Sequence, residues 1–320
     1  MKELLSLPLT AGTMEGYPDL PAALAGCGCQ GIEGIWGGED LAPVPQETRV
    51  GYHLTFWPDW VDFWNGDRAA LTEKFGGEPA WTAFYGGRDG RETLLRIFSQ
   101  DLDRARDWGA EYVVFHVSDV SIEEGYTYRW RHTDQQVLQA AAECIGLMLK
   151  GREESFAFLV ENQWWPGFSF TDPARTEWLL SSIPWEKKGI MLDTGHLMNA
   201  DWALRTQEEG VAWVLEQLDR HGGLAGQVRG LHLHQSLSGA YVQENTGFLP
   251  PDLPEDYTER FCRSYEHILK IDTHSPWTSP AVRAVVDRVR PEWLVHELSA
   301  ASRAEREERV KIQRRALGWG

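Results

Sequence analysis

Eight short apolar runs alternate with amphipathic, helix-like segments along the whole chain, and this alternation limits the fold more than any other feature. The runs are ELLSLPL (3–9), GIEGIW (31–36), RVGYHLTF (49–56), EYVVFHVSD (111–119), FAFLVEN (156–162), GIMLDTGH (189–196), VRGLHLHQS (228–236) and EWLVHELS (292–299). They carry Val, Ile, Leu and Phe on both faces, as parallel strands covered by helices do. Between them, segments such as RETLLRIFSQDLDRARDWG, TDQQVLQAAAECIGLMLK and QEEGVAWVLEQLDRHGG read as helices. Thr133 with Gln136 forms a capping-box signature, Asp172-Pro173 a helix start and Gly222-Gly223 a helix stop. The pattern predicts an α/β protein, a single (β/α)8 TIM barrel over residues 1–320 with its active site at the C-terminal face of the strands. A doubly wound open sheet is the alternative, but its glycine-rich phosphate turn is absent after the first run. Connections 57–90 and 237–277 exceed what a barrel needs and read as loop insertions, lids or binding segments.

Strand alternation selects which polar side chains face inward. His53, His116, Glu161, Asp193, His232 and Glu297 fall at or near the carboxyl ends of their runs, on the inward face. Carboxylates buried together without compensation are costly, and a divalent cation removes that cost. Imidazole nitrogen with carboxylate oxygen and no cysteine points to Zn²⁺, Mn²⁺ or a similar ion. His232 and His234 share a face, so alternation leaves open which is the ligand on the seventh strand. Trp57, Trp60, Phe63 and Trp64, with Trp164, Trp165 and Trp277, read as an apolar wall around the mouth that would stack on the C–H side of a sugar ring or on a flat polyphenol.

The charge balance bears on partners. With 31 Lys+Arg against 48 Asp+Glu the net charge is −17, which argues against a broad nucleic-acid surface. No run approaches the roughly 18 apolar residues of a membrane span, and MKELLSLPLTAGTMEG is broken too early for a signal peptide. The chain reads as cytoplasmic and as acting on a small molecule, with a homo-oligomer compatible with the sequence. Cys27, Cys29, Cys144 and Cys262 read as reduced packing residues, and the basic tail RAEREERVKIQRR as a solvated last helix.

The strings FHVSD, LVEN, LDTGH, LHLHQ, DTH and VHELS resemble the metal-site signatures of the xylose isomerase-like TIM barrel superfamily, which includes sugar isomerases, sugar epimerases and endonuclease IV-like proteins. The resemblance implies a single-metal epimerase-like site of Glu161, Asp193, His232 and Glu297 with His196 beside it. The three-metal arrangement of the endonuclease IV type would add His53, His116, Asp272 and His274. One to three divalent ions are therefore expected. As a sugar isomerase or epimerase the chain would use Glu161 and Glu297 as acid and base beside a metal-polarised carbonyl, with His234 touching substrate. As a trinuclear zinc phosphodiester hydrolase it would use both mainly as metal ligands. The sequence departs from the nuclease pattern in SPWTSP after His274 and in the acidic, aromatic segment after His53. Gln235 stands where the family usually has an acid, which keeps a non-catalytic binding module or accessory subunit as a third expectation.

Overall fold

A computed structural model of the chain describes residues 1–38 and 44–320. Eight parallel strands close on themselves in chain order: β1 (Lys2–Leu9), β2 (Gly31–Trp36), β3 (Arg49–His53), β4 (Tyr112–His116), β5 (Ala157–Glu161), β6 (Lys188–Asp193), β7 (Val228–Leu233) and β8 (Trp293–His296). Closure is made by β1 and β8, where Leu4 pairs with Val295. Helices surround the cylinder, so the molecule is the (β/α)8 barrel that the alternation predicts.

The lower barrel interior is filled by Leu4, Tyr112, Val114, Leu159, Met191 and Val295, all fully buried. Gly51 makes room there, because a Cβ at that position would meet the Tyr112 ring at 2.3 Å. Above this apolar layer the inward positions turn polar, and the strands end. The apolar runs overshoot their strands on the carboxyl side for that reason. In the sixth, β6 stops at Asp193 and the chain turns directly into the helix Thr194–Asn199, with the Asp193 carboxylate accepting from the His196 amide at 2.6 Å. A carboxylate at an N-cap satisfies an otherwise free helix donor.

Both long connections carry helices. Residues 57–90 form the helices Val61–Asn65, Arg68–Phe75 and Glu78–Tyr85. Asp67 caps the second of these by accepting from the Ala69 and Ala70 amides, and Gly76 (φ 79°) and Gly86 (φ 72°) end the second and third in the left-handed conformation that favours glycine. Residues 237–277 form the helices Gly239–Asn245 and Tyr257–Ile271. The insertions pack on each other on the mouth side, Phe75 stacking on Tyr257 at 4.0 Å between ring centres. Tyr257–Ile271 is long and amphipathic enough for its sequence DYTERFCRSYEHILK to read as a helix, whereas the other four are only five to eight residues long, so tertiary packing decides them.

Candidate metal centre

Ten carboxylate and imidazole side chains from the strand ends and the following turns meet at the mouth in three adjoining sets, with the donor atoms of each set within 4.8 Å of one another. The first is His53, His116 and Glu161; the second is Glu161, Asp193, His232 and Glu297; the third is His196, His234, Asp272 and His274. Glu161 belongs to two of them.

In the first set, His53 donates from Nδ1 to the Leu54 carbonyl at 2.9 Å, which turns Nε2 inward. That nitrogen lies 3.2 Å from His116 Nε2 and 3.3 Å from Glu161 Oε2, and His116 Nε2 is 2.9 Å from the same oxygen. In the second set, His232 Nδ1 faces Glu297 Oε2 at 2.9 Å, Glu161 Oε1 at 3.4 Å and Asp193 Oδ2 at 3.8 Å. Its other nitrogen is 3.0 Å from Glu33 Oε1, and Glu33 also accepts from the Tyr112 hydroxyl at 2.7 Å. In the third set, Asp272 Oδ2 lies 3.2 Å from His196 Nε2 and 2.5 Å from His274 Nε2, and the His234 ring stacks on His274 at 4.1 Å. The sets are joined, since His234 Nε2 reaches Asp193 Oδ2 at 2.8 Å and His196 Nδ1 reaches Glu161 Oε1 at 3.1 Å. His274 holds this place with a left-handed backbone, φ 44°, a conformation non-glycine residues take at a cost.

The electrostatics describe a centre short of positive charge. Burial pushes the His232 imidazolium down, but Glu297, Glu33 and Glu161 outweigh it and hold the group well above its ordinary value. His196 is likewise lowered by burial and raised further by Asp193 and Asp272, to well above the usual range. Burial opposes charge on Glu161, yet His116 and His232 hold its carboxyl well below the normal carboxylate value. Buried carboxylates retaining protons on neighbouring imidazoles are what such a donor set does when protons are the only cations available. Glu161 Oε1, His232 Nδ1, His234 Nδ1 and Glu297 Oε2 are buried with no hydrogen-bond partner, although several face one another at close range. Close approach without hydrogen-bond alignment means that these atoms aim at shared points between them. The donor chemistry fits divalent ions: nitrogen and oxygen ligands, with second-sphere partners such as Glu33 and the Leu54 carbonyl fixing ring orientation.

The sequence expectations divide here. The structure brings Glu161, Asp193, His232, Glu297, His196, His53, His116, Asp272 and His274 to one mouth. Both His232 and His234 face the centre, in different sets, so His234, expected beside the substrate, sits among the donors. Trp164 lies 5.3 Å from the His196 ring, and Trp165 stacks at 6.4 Å on Phe56, whose edge meets His116 at 4.4 Å. Trp60 and Trp277 must be corrected. Both are buried in the core, Trp60 donating to the Ser118 carbonyl at 2.7 Å and Trp277 fully enclosed, and they form no wall of the mouth. Trp57 is half-buried against Phe84 and Tyr85, and Phe63 and Trp64 lie in the same core as Trp60. Glu33 escaped the sequence reading. Its signal was a carboxylate in the middle of the apolar run GIEGIW, where alternation points it inward. Asn162 was also missed; it braces the sixth strand by donating to the Asp193 carbonyl at 3.0 Å and accepting from the Asp193 amide at 2.9 Å.

Comparison with known proteins places the fold. D-psicose 3-epimerase, solved in the presence of D-fructose, matches over 99% of this chain and 100% of its own at 10% identity and a TM-score of 0.51. At that identity the likeness is one of fold, the closed eight-stranded barrel. L-ribulose 3-epimerase matches over 98% of this chain and 93% of its own at 13% identity, TM-score 0.48. The IOLI protein, solved with a bound zinc atom, matches over 99% and 96% at 12% identity, TM-score 0.47. No family model and no curated protein sequence matches the chain. Among the described residues no helix is long and apolar enough to cross a membrane.

Proposed function

We propose that the chain is a divalent-metal enzyme with donors for three ions, and that it hydrolyses the ester bond of a small phosphate ester. The observation that carries this reading is the run of three adjoining donor sets, the first two sharing Glu161 and the third reaching them through His196–Glu161 and His234–Asp193 contacts. A proton transfer beside one polarised carbonyl uses the second set alone and leaves six further donors without work. Zinc or manganese ions held by these sets would supply Lewis acidity and a bound water acidified towards neutrality. The residues of the chain do the rest. Glu161 ties the first set to the second, so that substrate held between them has fixed geometry. Glu33 orients His232, and the Leu54 carbonyl orients His53. Glu297, the more exposed of the two expected catalytic glutamates at 15% of its side chain, faces the opening and is placed to exchange a proton with substrate. Trp164 packs on the His196 ring and Phe56 on the His116 ring, holding both imidazoles in place.

The acidic surface favours a small ester over a nucleic acid. An apolar cavity of about 300 Å³ beside Phe56, lined also by Val120, Ile122, Trp165 and Phe261, offers room for an apolar portion of that substrate. The test is hydrolysis of a panel of small phosphomonoesters and phosphodiesters in ¹⁸O-labelled water. Label in the released phosphate or alcohol, lost on chelation, is expected; no turnover across the panel with a fully loaded centre would overturn the reading.

One observation favours a second reading, a sugar isomerase or epimerase. Glu161 and Glu297 both approach His232 Nδ1, at 3.4 and 2.9 Å, and so could serve as acid and base across one substrate carbon. Deuterium from solvent entering a ketose would select it.

A further inference from the structure

A cavity of about 600 Å³ opens directly onto Glu297 and His274. Tyr265 and Leu269 form part of its rim and are 59% and 44% exposed. Its far wall is the start of the last helix, Arg303–Ala316, which the sequence reads as a solvated charged face. Most arginines of that helix behave as such a face should. Arg303 pairs with Glu307 at 2.5 Å, Arg309 with Glu305 at 2.7 Å and Arg315 with Glu308 at 2.9 Å.

Arg306 does not. It lines the cavity, yet among the described residues no carboxylate forms an ion pair with it. Its Nη1 makes a long hydrogen bond to the Tyr17 hydroxyl at 3.5 Å, and its Nε is buried with no acceptor. The nearest acid on the helix, Glu305, is already engaged, accepting from the Ala301 amide at 2.8 Å besides pairing with Arg309. A buried guanidinium donor left without an acceptor is destabilising, and its planar fork suits a phosphate or carboxylate held by two parallel hydrogen bonds. In a chain of net charge −17, this cation lines a cavity that also exposes Glu297 and His274 of the donor sets.

We propose that Arg306 is a substrate-anion site: it binds a phosphate or carboxylate group of the substrate in the cavity above Glu297 and His274. This rests on the proposed reading of the centre as a metal site for a phosphate ester, and it narrows the substrate to one that presents its anionic group towards the last helix. Arg306 positions and selects; it is not assigned a part in bond breaking.

Inorganic sulfate is the probe, titrated calorimetrically into the protein as purified, with metal content measured on the same samples. Arg306→Gln should weaken sulfate binding at least about tenfold, Arg306→Lys should retain part of it as a point charge without the fork, and Arg303→Gln, paired away from the cavity, should bind like the parent. Metal content and melting temperature should be the same in all four proteins. Equal sulfate affinity in the parent and Arg306→Gln, or no sulfate binding by the parent, would overturn the proposal while leaving the metal reading intact. Sulfate binding that depends on Arg306 in a protein with no bound metal would keep the anion site and remove the metal reading.

Discussion

Lys74 holds the lid together by neutralising buried acids, and replacing it with methionine tests how much that is worth. Its ammonium lies 2.6 Å from Asp59 Oδ1 and 2.8 Å from Asp62 Oδ2, with side-chain exposure of 1% for the lysine and 4% and 5% for the acids. Asp62 has a second partner, His132 at 3.0 Å, but among the described residues Asp59 has no other cation. Methionine fills similar space and leaves the Asp59 carboxylate buried and alone, so its least costly response is to take up a proton. Burial already pushes that group up, and only Lys74 holds it back. Protonating an aspartate of ordinary value 3.8 at pH 7 costs about 1.4 kcal/mol for each pH unit between the two, or roughly 4 kcal/mol; at pH 5 the same step costs roughly 2 kcal/mol. Urea unfolding of the parent, Lys74→Met and the double variant Lys74→Met/Asp59→Asn at both pH values measures these differences. The double variant should recover most of the loss at pH 7, because an amide needs no counter-charge. A single-variant loss below about 1 kcal/mol at pH 7, or one equal at pH 5 and pH 7, would refute the reasoning.

Three further outcomes follow from particular contacts. Burial, with Asp59 nearby, pushes the Asp119 carboxyl up to about 7, so its contribution to stability is present below pH 4 and fades as pH rises through 7; Asp119→Asn, which can still accept from the Trp60 and Val61 amides, should give a flatter stability profile between pH 5 and 8 in thermal melts. Gly195→Ala would place a Cβ 2.0 Å from the His234 ring, and it should lower metal occupancy of the third set with a smaller effect on the others, read by metal titration. Glu161→Gln removes the shared carboxylate and leaves two imidazoles in the first set and three donors in the second; elemental analysis should find about one ion fewer than in the parent, and an unchanged count would contradict the sharing.

Much of this architecture was legible because its signals are periodic. Parallel strands buried on both sides must be continuously apolar, so β1 to β8 stand out, and alternation then aims His53, His116, Glu161 and Asp193 inward. Alternation placed His234 of the third donor set, but His196, Asp272 and His274 were readable as ligands only through the resemblance of LDTGH and DTH, since they lie outside the named strands and no strand period governs them. Glu33 was hidden by the same apolar run that revealed β2. The tryptophans misled in part because an indole carries no mark of its side of the lid: Trp164 and Trp165 lie at the mouth, whereas Trp60 and Trp277 fill the core for their area. Lys74 and its acids could not be paired from sequence, because helices too short to show a periodic face bring them together.

Donors from distant strand ends would share their cations, and counting the ions is the most direct test. Inductively coupled plasma mass spectrometry on protein purified without chelators should find about three divalent ions per chain, falling when His53 and His116 are replaced by alanine. One ion per chain, unaffected by those replacements, would contradict the trinuclear centre.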